Sequence, residues 1–218
     1  MSIENFNEKQ EKKPRGRRTS MQVNGRNALL NSAIECFANM GFDNADTRTI
    51  ASRANVSANL IRVHFGSKSE LWDACLDTLV SQSKPILIEI QNIYSFKELT
   101  VYERLYRAFS ILGDYFLTQP HVHNFVVRHI SENEKRSKLI AEKLLLPTYE
   151  SILPLIVDGI KCGNLKSKHP VVFFSLLNNA FNQPASFDSL VEIIAPDADP
   201  ITIRKELNKS IITSLIHP

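Results

Sequence analysis

Between Ser57 and Lys68 the chain gathers, in a very short span, side chains that can address the edges and backbone of a nucleic acid. Asn59 carries a carboxamide, which can donate to and accept from an adenine edge at once. Arg62 carries a guanidinium, able to grip a phosphate or read a guanine. Ala58, Leu60 and Val63 add apolar surface that suits thymine methyl groups. Catalysis has no comparable support. There are only seven glycines and no Gly-rich phosphate loop, and no Ser/His/Asp, Cys/His or paired-carboxylate set can be located from spacing alone. Cys36, Cys75 and Cys162 lie far apart with no Cys-x-x-Cys pair, so free thiols are the plain reading. His121, His123, His129 and Glu132 invite a metal, but positions 121 and 123 do not share a helical face, and surface or pocket groups describe them better. Neither a metal nor a cofactor is expected.

The elements that must position these side chains are helices. Asp46 can cap a short helix carrying Ile50, Ala51 and Ala54, and Asn55 stands where the chain must turn through a left-handed conformation. Ser57 can then cap the segment 58–65, which is about two turns long. Two short helices joined by a tight turn form a helix-turn-helix. Ahead of it, Leu30, Ala33, Ile34 and Phe37 recur on one helical face and Gly41 follows as a stop. Behind it, Ser67 and Glu70 have capping-box spacing and open a helix carrying Leu71, Trp72, Cys75, Leu76 and Leu79.

Beyond about residue 83 the pattern stays helical. A second capping box at Ser95 and Glu98 opens a helix that stops before Pro120. There follow a shorter helix over 121–132, a long one over 137–162 closed by Gly163, an apolar one over 171–183, and a last one over 201–216 behind Asp199 and Pro200. With no strand signal and no internal repeat, the expected fold is all-α.

Charge divides the chain as sharply as pattern does. The net charge is +3, yet residues 1–26 hold seven Lys/Arg against three Asp/Glu, leaving nineteen against twenty for the remainder. Residues 1–21 have too few apolar side chains to offset the entropy of ordering and read as a disordered basic arm. The expected organisation is that arm, a DNA-binding domain over 22–82, and a second helical domain over 83–218. Within the arm, Arg15-Gly16-Arg17 with Arg18 resembles an AT-hook core, which lies in a narrow A·T-rich minor groove; a solvated charge run is the equal alternative. The N-terminus has no charged-then-apolar leader. The longest apolar stretch, 144–160, is broken by Pro147, Glu150, Pro154 and Asp158, so a cytoplasmic protein without membrane spans is expected.

The stretch 26–76 resembles the DNA-binding domain of the TetR family in the order and spacing of Leu30, Ala33, Phe37, Gly41-Phe42, Ile50-Ala51, Ala54, Val56-Ser57, His64-Phe65, Ser67-Lys68 and Leu71. The resemblance implies that the 58–65 helix enters the major groove, with Ser57, Ala58, Asn59, Leu60, Arg62 and Val63 near the bases. It implies that Arg48, His64 and Lys68 hold the DNA backbone. Arg62 stands where relatives have tyrosine, Asn59 and Asn55 where they have glycine, and Ala45 and Thr47 where they have a threonine and an aliphatic residue. The resemblance further implies a homodimer built from helices near 170–184 and 200–216, a near-palindromic operator, and release of that operator when a small molecule binds the C-terminal domain. The aromatic and aliphatic bias there suggests an apolar or aromatic effector, with Phe109, Phe125, Arg128, His129, Tyr149 and Asn178 as candidate contacts. Repression and activation are both open. The competing reading is an all-helical carrier of apolar small molecules with a vestigial reading head.

Overall fold

The computed structural model describes residues 16–181 and 187–218, with side chains from residue 25 onward. Every regular element among these residues is helical, and the fold is all-α. Helix α1 (Gly16–Asn44) forms because Leu29, Leu30, Ala33, Ile34 and Phe37 share one buried face. Helical dihedrals stop at Gly41 (φ 78°, ψ 174°), a region that essentially only glycine occupies, so the expected stop falls in place. Residues 42–44 follow as a separate turn. The other end runs further back than composition implied. Arg17 and Arg18 lie on the first turns of α1 and not in a disordered arm, while Arg15 lies outside the described residues. Once the packed part of α1 exists, good helix formers such as Arg, Met and Gln extend it without a new nucleation cost.

Helices α2 (Thr47–Arg53) and α3 (Asn59–Phe65) flank a turn in which Asn55 has φ 55°, the left-handed value read from its sequence position. Their caps differ from expectation. Asp46 sits at the α2 N-cap without a side-chain bond, and Ala58, not Ser57, is the N-cap of α3; Ser57 contributes its carbonyl, accepting from Leu60 N at 3.0 Å. Helix α4 (Lys68–Ile93) starts as predicted, with Ser67 Oγ accepting from Glu70 N at 3.2 Å.

Helix α5 (Val101–Thr118) is opened by Thr100 and Glu103, whose reciprocal bonds form the capping box that the sequence placed at Ser95 and Glu98. The two candidates have the same spacing. The later register wins because it buries Arg104, Leu105, Ala108 and Phe109, while residues 94–99 close into turns. Helix α6 (Pro120–Ile130) is followed by α7 (Glu134–Ile140), a π-helical turn (Ala141–Leu145) and α8 (Leu146–Cys162), so the expected long helix is divided. Gly163 closes α8 in a left-handed conformation, as expected. Helices α9 (Pro170–Phe181) and α11 (Pro200–Leu215) match their predicted places; α10 (Phe187–Ile194) was not foreseen.

Two cores form, and they do not divide after residue 82. One joins α1 to α4 and also takes Val122 and Phe125 of α6, Ile140 of α7 and Leu144 of the π-turn. The other holds the C-terminal end of α4 with α5, α8, α9 and α11. Helix α4 runs through both, and α6 is fastened to the first. Phe125 stacks on Trp72 at 5.4 Å, and the fully buried His129 lies edge-on to Trp72 at 5.5 Å and to Phe37 at 6.3 Å. Polar bonds close the rim: Arg128 Nη2 donates to Asn39 O (3.1 Å), Phe42 N donates to Glu132 Oε2 (3.2 Å), and Arg136 lies 3.4 Å over the Phe42 ring.

Two outcomes follow from this seam. At Gly41 a Cβ would collide with the Glu132 carboxylate as well as forcing an unfavourable φ, so Gly41→Ala should cost about 1–3 kcal/mol in urea denaturation. A variant as stable as the parent would contradict the dihedral assignment. Burial also lowers the proton affinity of His121, His123 (to about 4) and His129 from the ordinary 6.5. The unfolded chain therefore binds more protons below that value; stability should be full above it and fall as the pH drops from about 6.5 towards about 4. A urea midpoint that is flat across this window would show that these rings are not buried.

Candidate functional site

Helix α3 is anchored from beneath and bare on top. Ile61 and Phe65 point into the first core, and α2 is tied to α1 by Ser32 Oγ donating to Ile50 O at 2.8 Å. The residues between the anchors, Ala58, Asn59, Arg62 and Val63, are exposed together with Ser57, and Val63 is 64% exposed despite being apolar. An aliphatic side chain left in water beside an amide and a guanidinium is the surface composition that a major-groove reader needs. Leu60 differs: it is half-buried against the first core near Gly25, so packing holds it back from the outward face.

The expected backbone contacts are only partly available. Arg48 is exposed at the first turn of α2. His64 Nε2 is buried with no hydrogen-bond partner and its ring lies edge-on to Phe65 at 6.2 Å, so that nitrogen is withdrawn from a phosphate. Lys68 donates to Asp43 O at 3.2 Å and sits 4.6 Å over the Phe42 ring. Its ammonium keeps further donors for a phosphate. Sequence reasoning missed Arg26, which is exposed and lies 5.1 Å over the Phe65 ring at the far end of α3. Its only signal was a place one turn ahead of Leu30 on the α1 face.

A second site lies behind the head. A cavity of about 50 Å³ opens between α4, α5, α6, the π-turn, α8 and α9. Its wall includes Ser83, Tyr115, His123, Val126, Thr148 and Asn178. Of the six residues expected to meet an effector, only Asn178 is in that wall. Phe109 is packed in the second core on Phe173 (5.6 Å), and Tyr149 lies against Phe174 (5.3 Å). Phe125, Arg128 and His129 belong to the seam with the head. Aromatic periodicity marks a buried face but cannot say which buried partner faces it, and here the head took that face. Helix α6 thus serves both sites, with His123 and Val126 on the cavity and Phe125 and His129 on Trp72.

Comparison with known proteins agrees with this geometry. Residues 29–75 match the model of the family described as bacterial regulatory proteins, tetR family. The chain is 25% identical over 154 residues to the uncharacterized HTH-type transcriptional regulator YhgD of Bacillus subtilis (strain 168), covering 69% of this chain and 76% of that one. Its fold is that of HlyIIR, a hemolysin II transcriptional regulator (TM-score 0.62, 14% identity, 90% of this chain and 99% of that one). It is likewise that of the transcriptional regulator FadR from Bacillus subtilis, solved with stearoyl-CoA (TM-score 0.59, 13% identity, 86% and 98%). With a helix-turn-helix whose outward face is dressed for base edges, residues 29–75 form a DNA-binding domain of the tetR type, and the chain is a transcriptional regulator.

Proposed function

We propose that the chain works as a homodimeric repressor that holds a near-palindromic operator through α3 and releases it when an apolar small molecule enters the cavity behind α6. The single observation that carries this reading is the shared use of α6, which forms a wall of the cavity on one side and is stacked on Trp72 of the head on the other. The cavity, at about 50 Å³, is far below the roughly 300 Å³ or more of a drug-sized site, so an occupant of that size must part the helices. Parting them displaces α6 and the head with it. Such an effector binds the DNA-incompetent arrangement better than the competent one, the condition for shifting the equilibrium. FadR, solved with stearoyl-CoA, supports the idea that this fold accommodates a ligand.

The dimer is supported by apolar surface left on the last helices. Val171, Val172 and Leu176 of α9, Ile201 of α11, and Ile193 and Ile194 of α10 (78% and 79% exposed) form more bare aliphatic surface than scattered single residues account for. Phe173, Leu177, Phe181 and Ile212 of the same helices are buried within the protomer, so one apolar face serves the core and another is left bare. A twofold axis through α9 and α11 would set two α3 helices about one DNA turn apart.

Fluorescence anisotropy with the DNA upstream of the chain's own gene tests the reading. Asn59→Ala and Arg62→Ala should each weaken binding by about 1–3 kcal/mol while leaving thermal stability unchanged, because both side chains are exposed. If both variants bind as the parent does, or the parent binds all duplexes alike, the chain is better described as a small-molecule carrier.

A further inference from the structure

We propose that the effector is an uncharged, largely apolar molecule bearing one hydrogen-bonding oxygen, which Tyr115 and His123 recognise, and that carboxylates are poor ligands. The proposal rests on the reading of the cavity as the effector site and adds the chemistry of what fits there. No Asp, Glu, Lys or Arg is among the described residues that line the cavity. A buried carboxylate without a counter-charge keeps most of its desolvation penalty, which neutral donors offset only in part.

The polar atoms of the wall are few and their commitments differ. Ser83 Oγ donates to Val80 O at 2.9 Å and Thr148 Oγ1 to Leu144 O at 2.7 Å, so both hydroxyl hydrogens are spent on their own helices. The Tyr115 hydroxyl is different: it is buried and has no hydrogen-bond partner. Leaving such a group unpaired is costly, and a ligand oxygen brought against it would recover that loss. His123 stands edge-on to Phe116 at 6.3 Å, and burial pushes its pKa down to about 4, so the ring is neutral and offers one donor and one acceptor. A ligand hydroxyl or carbonyl matches two neutral groups that can each donate. Apart from Asn178, the remaining surface, with Leu112, Phe116 and Val126, is apolar and takes the hydrocarbon body.

Calorimetric titration of the full chain at neutral pH with two matched sets tests this: 1-naphthol, naphthalene and 1-naphthoate, and 1-decanol, decane and decanoate. In at least one set the alcohol should bind about tenfold or more tighter than the matching carboxylate, since one well-made hydrogen bond and an avoided buried charge both favour it. Tyr115→Phe should weaken 1-naphthol about three- to tenfold while changing naphthalene less than about twofold. That variant removes an unpartnered buried hydroxyl, so its melting temperature should hold or rise. Carboxylates that bind as tightly as their alcohols in every set that binds overturn this inference and leave the cavity as the effector site. Failure of all six probes to bind overturns the inference and the effector site together.

Discussion

The structure depends on one contact: the stacking of α6 on Trp72. Phe125 and His129 lie against the indole, and Trp72, Phe125 and His129 are all but fully buried. Three aromatic rings removed from water at one junction bury enough area to make α6 and the head a single body. The rim reinforces it. Glu132 receives the amide of Phe42, Arg128 reaches the carbonyl of Asn39, and both Lys68 and Arg136 lie over the Phe42 ring. Phe42 therefore connects the DNA-side end of α4 to α7, and Gly41 beside it supplies the dihedrals that let Phe42 reach both.

From this junction the division of labour follows. Helix α4 spans the two cores, and the turn between α7 and α8 is π-helical where it meets the cavity. Single π-turns of this kind often mark functional places in helices. Lys143 within it pairs with Asp77 of α4 at 2.7 Å, although both side chains are largely in water and the pair adds little stability. At the far end, close approach governs. A Cβ at Gly159 would stand 2.7 Å from Leu105 Cδ1, so α5 and α8 cross where only hydrogen fits. The second core is accordingly tight and the cavity is confined to its margin beside α6. In the proposed mechanism occupancy moves α6, the helix that the cavity and the head share.

Much of the head was legible in the sequence because local physics decided it. The α1 face, the left-handed Asn55, the Ser67 cap and the outward Asn59, Arg62 and Val63 each follow from spacing and backbone preference within a few residues. What the sequence withheld was tertiary. Leu60 and His64 have side chains suited to DNA, but their helical positions turn them toward the core. Phe125, Arg128 and His129 looked like pocket groups because an amphipathic helix does not disclose which neighbour covers its apolar face. Thr100 and Ser95 both begin a capping box, and only burial of the following residues separates them. Helix α10 is eight residues long, too short for periodicity to distinguish it from a loop.

The most direct test of the junction as a transmitter needs no effector. Val126 lies on the cavity side of α6, and Val126→Trp adds more volume than the cavity holds, so the side chain itself must push α6 outward. With native helicity verified by circular dichroism, operator binding by this variant should fall at least about tenfold, the size of a typical allosteric coupling. Operator affinity equal to the parent's, with the cavity filled and the fold intact, would contradict the claim that α6 carries the state of the cavity to the reading head.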